Sequence, residues 1–292
     1  MVRGIAPSAE SVLDRAGVQI HYQVFGDGPR TLLLLPTWSI VHSDFWRYQV
    51  SAFANRYKVV TFDGRGNGAS GRPPSPEDYS DDVFFEDALA VIDAAGAEEA
   101  AVLSVSAGAN WGLMLASMRP ERVSAAVFIA PSLALGEPLP ERAAALAVFD
   151  EPQETYEGWL KFNRHYWHTD WPDFLRFFFG KCFTEPGSER QIEHFIQMGL
   201  ETTPEIIAHT ADAPGLDGTQ VKDLAGNVAC PVLVVHGDHD AISPVDRGRL
   251  LARHLRGELV VMPAAGHEPQ CRWPDATDEI LENFLARAYP PS

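Results

Sequence analysis

The chain has 292 residues and 46% hydrophobic content, enough to bury a substantial core in one catalytic domain that carries an insertion. Against 40 acidic side chains stand 23 Lys and Arg, a formal charge of −17 with no basic cluster. That balance argues against nucleic acid and anionic membranes as partners, and disfavours anionic substrates unless the mouth of the pocket is locally basic. Three cysteines, Cys182, Cys230 and Cys271, are an odd number without metal-ligand spacing, so free thiols in a reducing compartment are expected. Met1 through Glu10 lacks a basic region followed by an apolar one, and no apolar run reaches the roughly 20 residues that span a bilayer. The expectation is a cytoplasmic protein, a monomer or homodimer, without cofactor or metal.

In chain order, residues 11–14 and 18–25 predict an opening hairpin around Ala16-Gly17. Residues 32–35, 59–62 and 100–103 are continuous apolar runs, as in strands buried on both faces. Residues 81–95 alternate with them as a helix whose inner side carries Val83, Phe84, Ala88, Val91 and Ile92. A helix over 109–118 stops at Arg119-Pro120, because proline cannot continue it, and 125–130 is the next strand. Further strands are predicted over 230–235 and 258–262, and a last helix over 274–288 with Ile280, Leu281, Phe284 and Leu285 at helical spacing. This alternation predicts an α/β fold with a mostly parallel sheet.

Between the strand at 100–103 and the helix at 109–118 lies Leu103-Ser104-Val105-Ser106-Ala107-Gly108. A serine at so tight a strand-to-helix turn is pushed out above the sheet, and small residues two before and two after let the strained backbone close. Ser104 fills the position where glycine is usual; it is small enough to do so. The plainer reading of Ser106 is a helix cap. Two residues downstream favour a nucleophile instead: Asp240 in the loop after the strand at 230–235, and His267 in the loop after 258–262. Three catalytic residue types thus fall at strand C-terminal ends, the edge where open parallel sheets build their sites.

With these residues the chain resembles the α/β-hydrolase superfamily, in particular its lid-bearing, esterase- and lipase-like serine members, over nearly its whole length. Asp63-Gly64-Arg65-Gly66-Asn67-Gly68-Ala69-Ser70 is similar to the family's Asp-x-Arg-Gly-x-Gly-x-Ser turn, Gly237 with Asp240 and Pro244 to its acid loop, and Gly266-His267 to its base loop. The resemblance implies a triad of Ser106 as nucleophile, His267 as base and acid, and Asp240 as the orienting carboxylate. Asp238 is the runner-up for the acid, with Asp212 and Asp217 further upstream. For the oxyanion hole it implies the backbone N–H of Ala107 and one from the loop after the strand at 32–35. There the family's His-Gly pair is replaced by Pro36-Thr37, so the count gives Trp38, with Thr37 as the alternative.

From 133 to 215 the alternation breaks into a helix-prone, aromatic-rich stretch. It reads as a helical cap inserted into a catalytic domain formed by 1–132 and 216–292. Most of its rings are expected in the cap's own core and a minority at the pocket; Thr37, Trp46, Trp167 and Trp171 are the substrate-binding candidates. His42, His165, His168 and His194 show no metal-ligand pattern, and structural or exposed places are expected for them.

A serine nucleophile argues against the carbon-attacking chemistry of epoxide hydrolases and haloalkane dehalogenases and predicts acyl transfer to water: a carboxylic ester hydrolase for small apolar or aromatic substrates. Hydrolysis of C–C bonds, lactones or amides, perhydrolysis and acyl transfer to another acceptor remain open on the same triad. So does a hydrolase-like receptor that binds a small molecule.

Overall fold

The apolar runs assemble into one eight-stranded sheet in the computed structural model, which describes residues 5–291. Met1–Gly4, part of the stretch in which no signal sequence is expected, and Ser292 lie outside the described residues. The strands are β1 (Ala9–Arg15), β2 (Val18–Phe25), β3 (Thr31–Leu34), β4 (Lys58–Phe62), β5 (Ala100–Val105), β6 (Val123–Ile129), β7 (Val232–Gly237) and β8 (Glu258–Met262). Their order is β1-β2-β4-β3-β5-β6-β7-β8. β1 and β2 are antiparallel, as are β2 and β4, and every other neighbouring pair is parallel.

Alternate side chains leave each central strand on opposite faces, and both faces are covered. Leu32 and Leu34 of β3, Leu103 of β5 and Leu233 of β7 join one apolar cluster, which continues into the cap aromatics. Leu33, Val102 and Val234 join the other, with Leu113 and Leu115 of the helix Gly108–Met118 and Leu251 of Val245–Leu255. Burial on two sides is why these strands read as unbroken apolar runs.

Two boundaries differ from the sequence expectation for identifiable reasons. β5 runs on through Ser104 and Val105, because the buried Ser104 hydroxyl donates to Val127 O at 3.0 Å and so costs the strand nothing. β7 begins at Val232, not Cys230, since Pro231 has no N–H for a ladder.

Between β6 and β7 lies the inserted helical region: Pro140–Ala147, Arg164–Thr169, Trp171–Cys182, Glu189–Gly199 and Pro204–Asp212, followed by Gly218–Asn227. Its rings pack on one another; Trp167 lies 5.0 Å from Phe149, 5.2 Å from Phe162 and 5.1 Å from Phe174, centroid to centroid. Among the described residues no helix is long and apolar enough to cross a membrane. The three cysteines are unpaired.

Candidate active site

β5 delivers Ser106 at a φ of +52°, a left-handed conformation that a non-glycine residue holds only when its surroundings enforce it. Here they do: Ser106 N donates to Ile129 O (3.0 Å) and Ser106 O accepts from Ser132 N (3.1 Å), tying the turn to the end of β6. Ser104 leans toward the helix it precedes, where Gly112 leaves room; a Cβ there would stand 3.1 Å from Ser104 Oγ.

Ser106 Oγ lies 2.9 Å from His267 Nε2, and His267 Nδ1 lies 2.7 Å from Asp240 Oδ2. Asp240 and His267 are buried and Ser106 is partly accessible. The Asp240 and His267 loops meet because Gly237 lacks a side chain: a Cβ there would fall 2.1 Å from Ala265 O. The competing carboxylates point elsewhere. Asp238 accepts from Ala264 N (2.6 Å), Asp212 pairs with Arg164 (2.6 Å), and Asp217 caps Gly218–Asn227.

Asp240 is held by more than the expected imidazole. Its Oδ1 accepts from Ile242 N (2.7 Å) and Ser243 N (2.9 Å), and its Oδ2 also faces His236 Nε2 at 3.1 Å. His236 Nε2 stands 2.9 Å from Ser243 O as well, and since both neighbours are acceptors this nitrogen must carry the hydrogen. Burial alone would raise the Asp240 carboxyl, but the charge of His267 and the donors around it hold it well below the usual range. Burial pushes the His267 imidazole down, and the neighbouring Asp240, by charge and hydrogen bond, overrides this and holds it above the usual histidine value. Next to it, burial lifts the Glu268 carboxyl to about 7.

Opposite the serine, the β3 loop and the start of Gly108–Met118 approach closely; a Cβ on Gly108 would lie 2.4 Å from Pro36 O. Among the described residues, neither the Ala107 N–H nor the Trp38 N–H donates to another protein group. The Trp38 indole turns into the cap, donating to Thr210 Oγ1 (2.7 Å) and packing on Phe178 at 5.1 Å. Thr37 is buried with an unpartnered hydroxyl. A cavity of about 180 Å³ adjoins Ala107 and Trp38, walled by Phe84, Asn110, Trp111 and Thr210. A larger one, about 570 Å³, lies over His21, Asp63 and Arg47, away from these groups.

The four substrate-binding candidates do not gather. Trp46 is wholly enclosed, its indole N–H on Leu35 O (2.7 Å) and its ring 4.8 Å from Phe45, so it is a core residue. Trp167 sits at the centre of the cap cluster, 6.2 Å from the Trp38 ring, and Trp171 donates to Gly199 O at 3.0 Å. His42 faces Glu201 at 3.5 Å, His165 meets Asp150 O at 3.0 Å and His168 faces Glu205 at 3.3 Å; His194 sits beside Arg47 and Asp44.

Sequence reasoning missed four neighbours. Ser132 places its hydroxyl 3.2 Å from Ser106 Oγ, and His236 shares the Asp240 carboxylate with His267. Glu185 accepts from Gly266 N at 2.8 Å, and Arg142 donates to Ile242 O at 2.5 Å. Ser132 was findable, standing just past a strand at the same sheet edge, and so was His236, four residues before Asp240. Glu185 and Arg142 belong to the inserted region and carry no local signal.

A serine–imidazole–carboxylate chain at the C-terminal edge of a parallel sheet under a helical insertion defines a class of hydrolase. The chain belongs to the alpha/beta hydrolase fold family, whose model matches residues 30–271. It is 24% identical over 278 residues to 3-oxoadipate enol-lactonase 2 of Acinetobacter baylyi, covering 95% of this chain and 97% of that protein. It is 27% identical over 274 residues to the human serine hydrolase BPHL, covering 92% and 84%. A hydrolase from Pseudomonas aeruginosa PA01 superposes with a TM-score of 0.77 at 24% identity, over 95% of this chain and 98% of that one. Family and relatives together support serine-hydrolase-like enzymatic activity.

Proposed function

We propose that the chain is a serine hydrolase cleaving carboxylic esters of small molecules through an acyl-enzyme. The observation that carries this reading is the unbroken chain from Ser106 Oγ through His267 to Asp240, with contacts of 2.9 and 2.7 Å. Serine is a weak nucleophile at neutral pH; His267 Nε2 accepts its proton as Oγ attacks the ester carbonyl, and Asp240 stabilises the imidazolium and fixes its tautomer. The oxyanion is received by the free N–H groups of Ala107 and Trp38, each worth about 2.7–4 kcal/mol in such sites. His267 then gives its proton to the leaving alcohol, and a water, deprotonated by the same nitrogen, releases the acid and restores Ser106.

The cap, taken as 133–215 over a catalytic domain of 1–132 and 216–292, excludes water and limits substrate size. The cavity of about 180 Å³ beside Ala107, lined by Phe84 and Trp111 but also by Asp81 and Asn110, has the volume for a small aromatic portion, since a pocket of about 150 Å³ holds benzene. Lactones, cyclic esters open to the same chemistry, are the second reading, favoured by the name of the Acinetobacter relative.

The test is turnover of p-nitrophenyl acetate and butyrate and of a simple lactone by the wild type and by Ser106→Ala. The reading expects turnover that disappears in the variant; equal rates in both proteins contradict it.

A further inference from the structure

Among the described residues, two guanidinium groups near this site form no ion pair, although the charge of Asp240 acts on both. Arg142, in the first turn of Pro140–Ala147, donates through Nη1 to Ile242 O at 2.5 Å, and Ile242 N in turn donates to Asp240. Its Cζ lies 5.7 Å from the ring centroids of both Trp159 and Phe162, and Phe162 is 6.0 Å from the ring of Trp38. The guanidinium therefore lies between the Asp240 loop and the cap rings that pack against the Trp38 side chain. Arg247 lies in the first turn of the helix Val245–Leu255, which follows the same loop and packs on β7. The Nε atoms of both arginines are buried without a hydrogen-bond partner.

Their neighbours are not treated this way. Arg249 pairs with Asp246, and Arg164 with Asp150 and Asp212. Asp240, whose charge acts on both, already has two donors on each oxygen. Burial, and then the like charge of Arg247, bring Arg142 down to about 10, which leaves it fully charged at neutral pH. In a chain with 40 acidic and 23 basic residues, unpaired cations in a partly buried place are costly unless a ligand completes them.

We propose that Arg142, backed by Arg247, is a carboxylate-binding subsite, so that the preferred substrate is an ester or lactone with a small apolar body and one free carboxylate. This rests on the reading of Ser106 as the nucleophile. A guanidinium takes a carboxylate through two parallel N–H donors, and Arg142, held by its Nη1 bond to Ile242 O, keeps its Nε free for one of them. The contact orients the ester and offsets the repulsion that the acidic surface exerts on an anion.

The experiment uses isosteric pairs: p-nitrophenyl pentanoate against p-nitrophenyl hydrogen glutarate, and propyl butyrate against O-butyrylglycolate, each corrected for its uncatalysed rate. For at least one pair the wild type is expected to favour the carboxylate member about tenfold or more in kcat/KM. Arg142→Gln should cut that ratio about tenfold, and Arg142→Lys, which keeps charge without the fork, should restore part of it. Arg247→Gln, with an expected loss of about threefold, serves if Arg142→Gln does not fold. No preference in either pair, or a preference unchanged in the folded variants, overturns the subsite. Absence of all ester turnover instead counts against the nucleophile. In that event the rise in melting temperature with glutarate decides the subsite, expected in the wild type and lost in Arg142→Gln; no rise in the wild type overturns it.

Discussion

Glu185 Oε1 accepts the backbone N–H of Gly266, the residue before His267, at 2.8 Å. Cys182 O accepts the N–H of His267 itself (2.9 Å), and Thr184 Oγ1 donates to His239 O (3.2 Å), so the chain leaving Trp171–Cys182 is bonded to the loops of both the base and the acid. The inserted region thus helps set the position of the imidazole. Glu185→Ala is expected to lower kcat about tenfold, the effect of about 1.4 kcal/mol of misplacement. It should also cost about 1.5–3 kcal/mol of stability, the range for a hydrogen bond to a charged group. Glu185→Gln keeps an acceptor and should stay within about twofold of the wild type, a pairing that steady-state kinetics and thermal melts resolve.

His236 shares Asp240 Oδ2 with His267. Replacing it by Phe removes a donor from the carboxylate and leaves Ser243 O without its imidazole. The expected result is a loss of about 1–2 kcal/mol in stability. The acid limb of kcat/KM should move to higher pH, because a less satisfied Asp240 holds the proton on His267 more firmly. A stability loss with an unmoved limb would make His236 a packing residue only.

His267 must be neutral to accept the serine proton, and it is held above the usual value of 6.5, so kcat/KM should rise with pH through a midpoint above 6.5. Glu268 contributes to that elevation, and Glu268→Gln should lower the midpoint. Glu268 itself is raised to about 7 by burial, from about 4.3 in an unfolded chain. Between these values the native state binds the extra proton, so this group's contribution to stability falls as pH rises through the interval. Glu268→Gln cannot ionise, and its drop in melting temperature from about pH 5 to about pH 8 should be smaller than that of the wild type.

Gly108→Ala would drive a Cβ against Pro36 O and spread Ala107 from Trp38. With one of the two proposed oxyanion donors displaced, kcat should fall about 100-fold or more. Ser106 should still react with a fluorophosphonate, only more slowly. Full activity in this variant would remove Trp38 from the oxyanion role.

The sheet was legible because β3, β5, β6 and β7 are apolar on both faces, and the Ser106–His267–Asp240 constellation because each member follows a strand. The hidden parts were nonlocal. Trp46 looks like a pocket wall in sequence, yet a hydrogen bond to Leu35 O draws it into the core. Periodicity could not sort the cap rings, since they surround Trp167 from several elements. Arg142, Glu185 and His236 owe their places to partners 100, 81 and 4 residues away, and only the last distance leaves a trace in a local motif.

The most direct measurement is peptide mapping by mass spectrometry after reaction with a fluorophosphonate. A single adduct on Ser106, formed rapidly in the wild type and at least about 100-fold more slowly in His267→Gln, is the predicted outcome. An unmodified Ser106, or labelling at the same rate without His267, would contradict the assignment of Ser106 as a nucleophile activated by that imidazole.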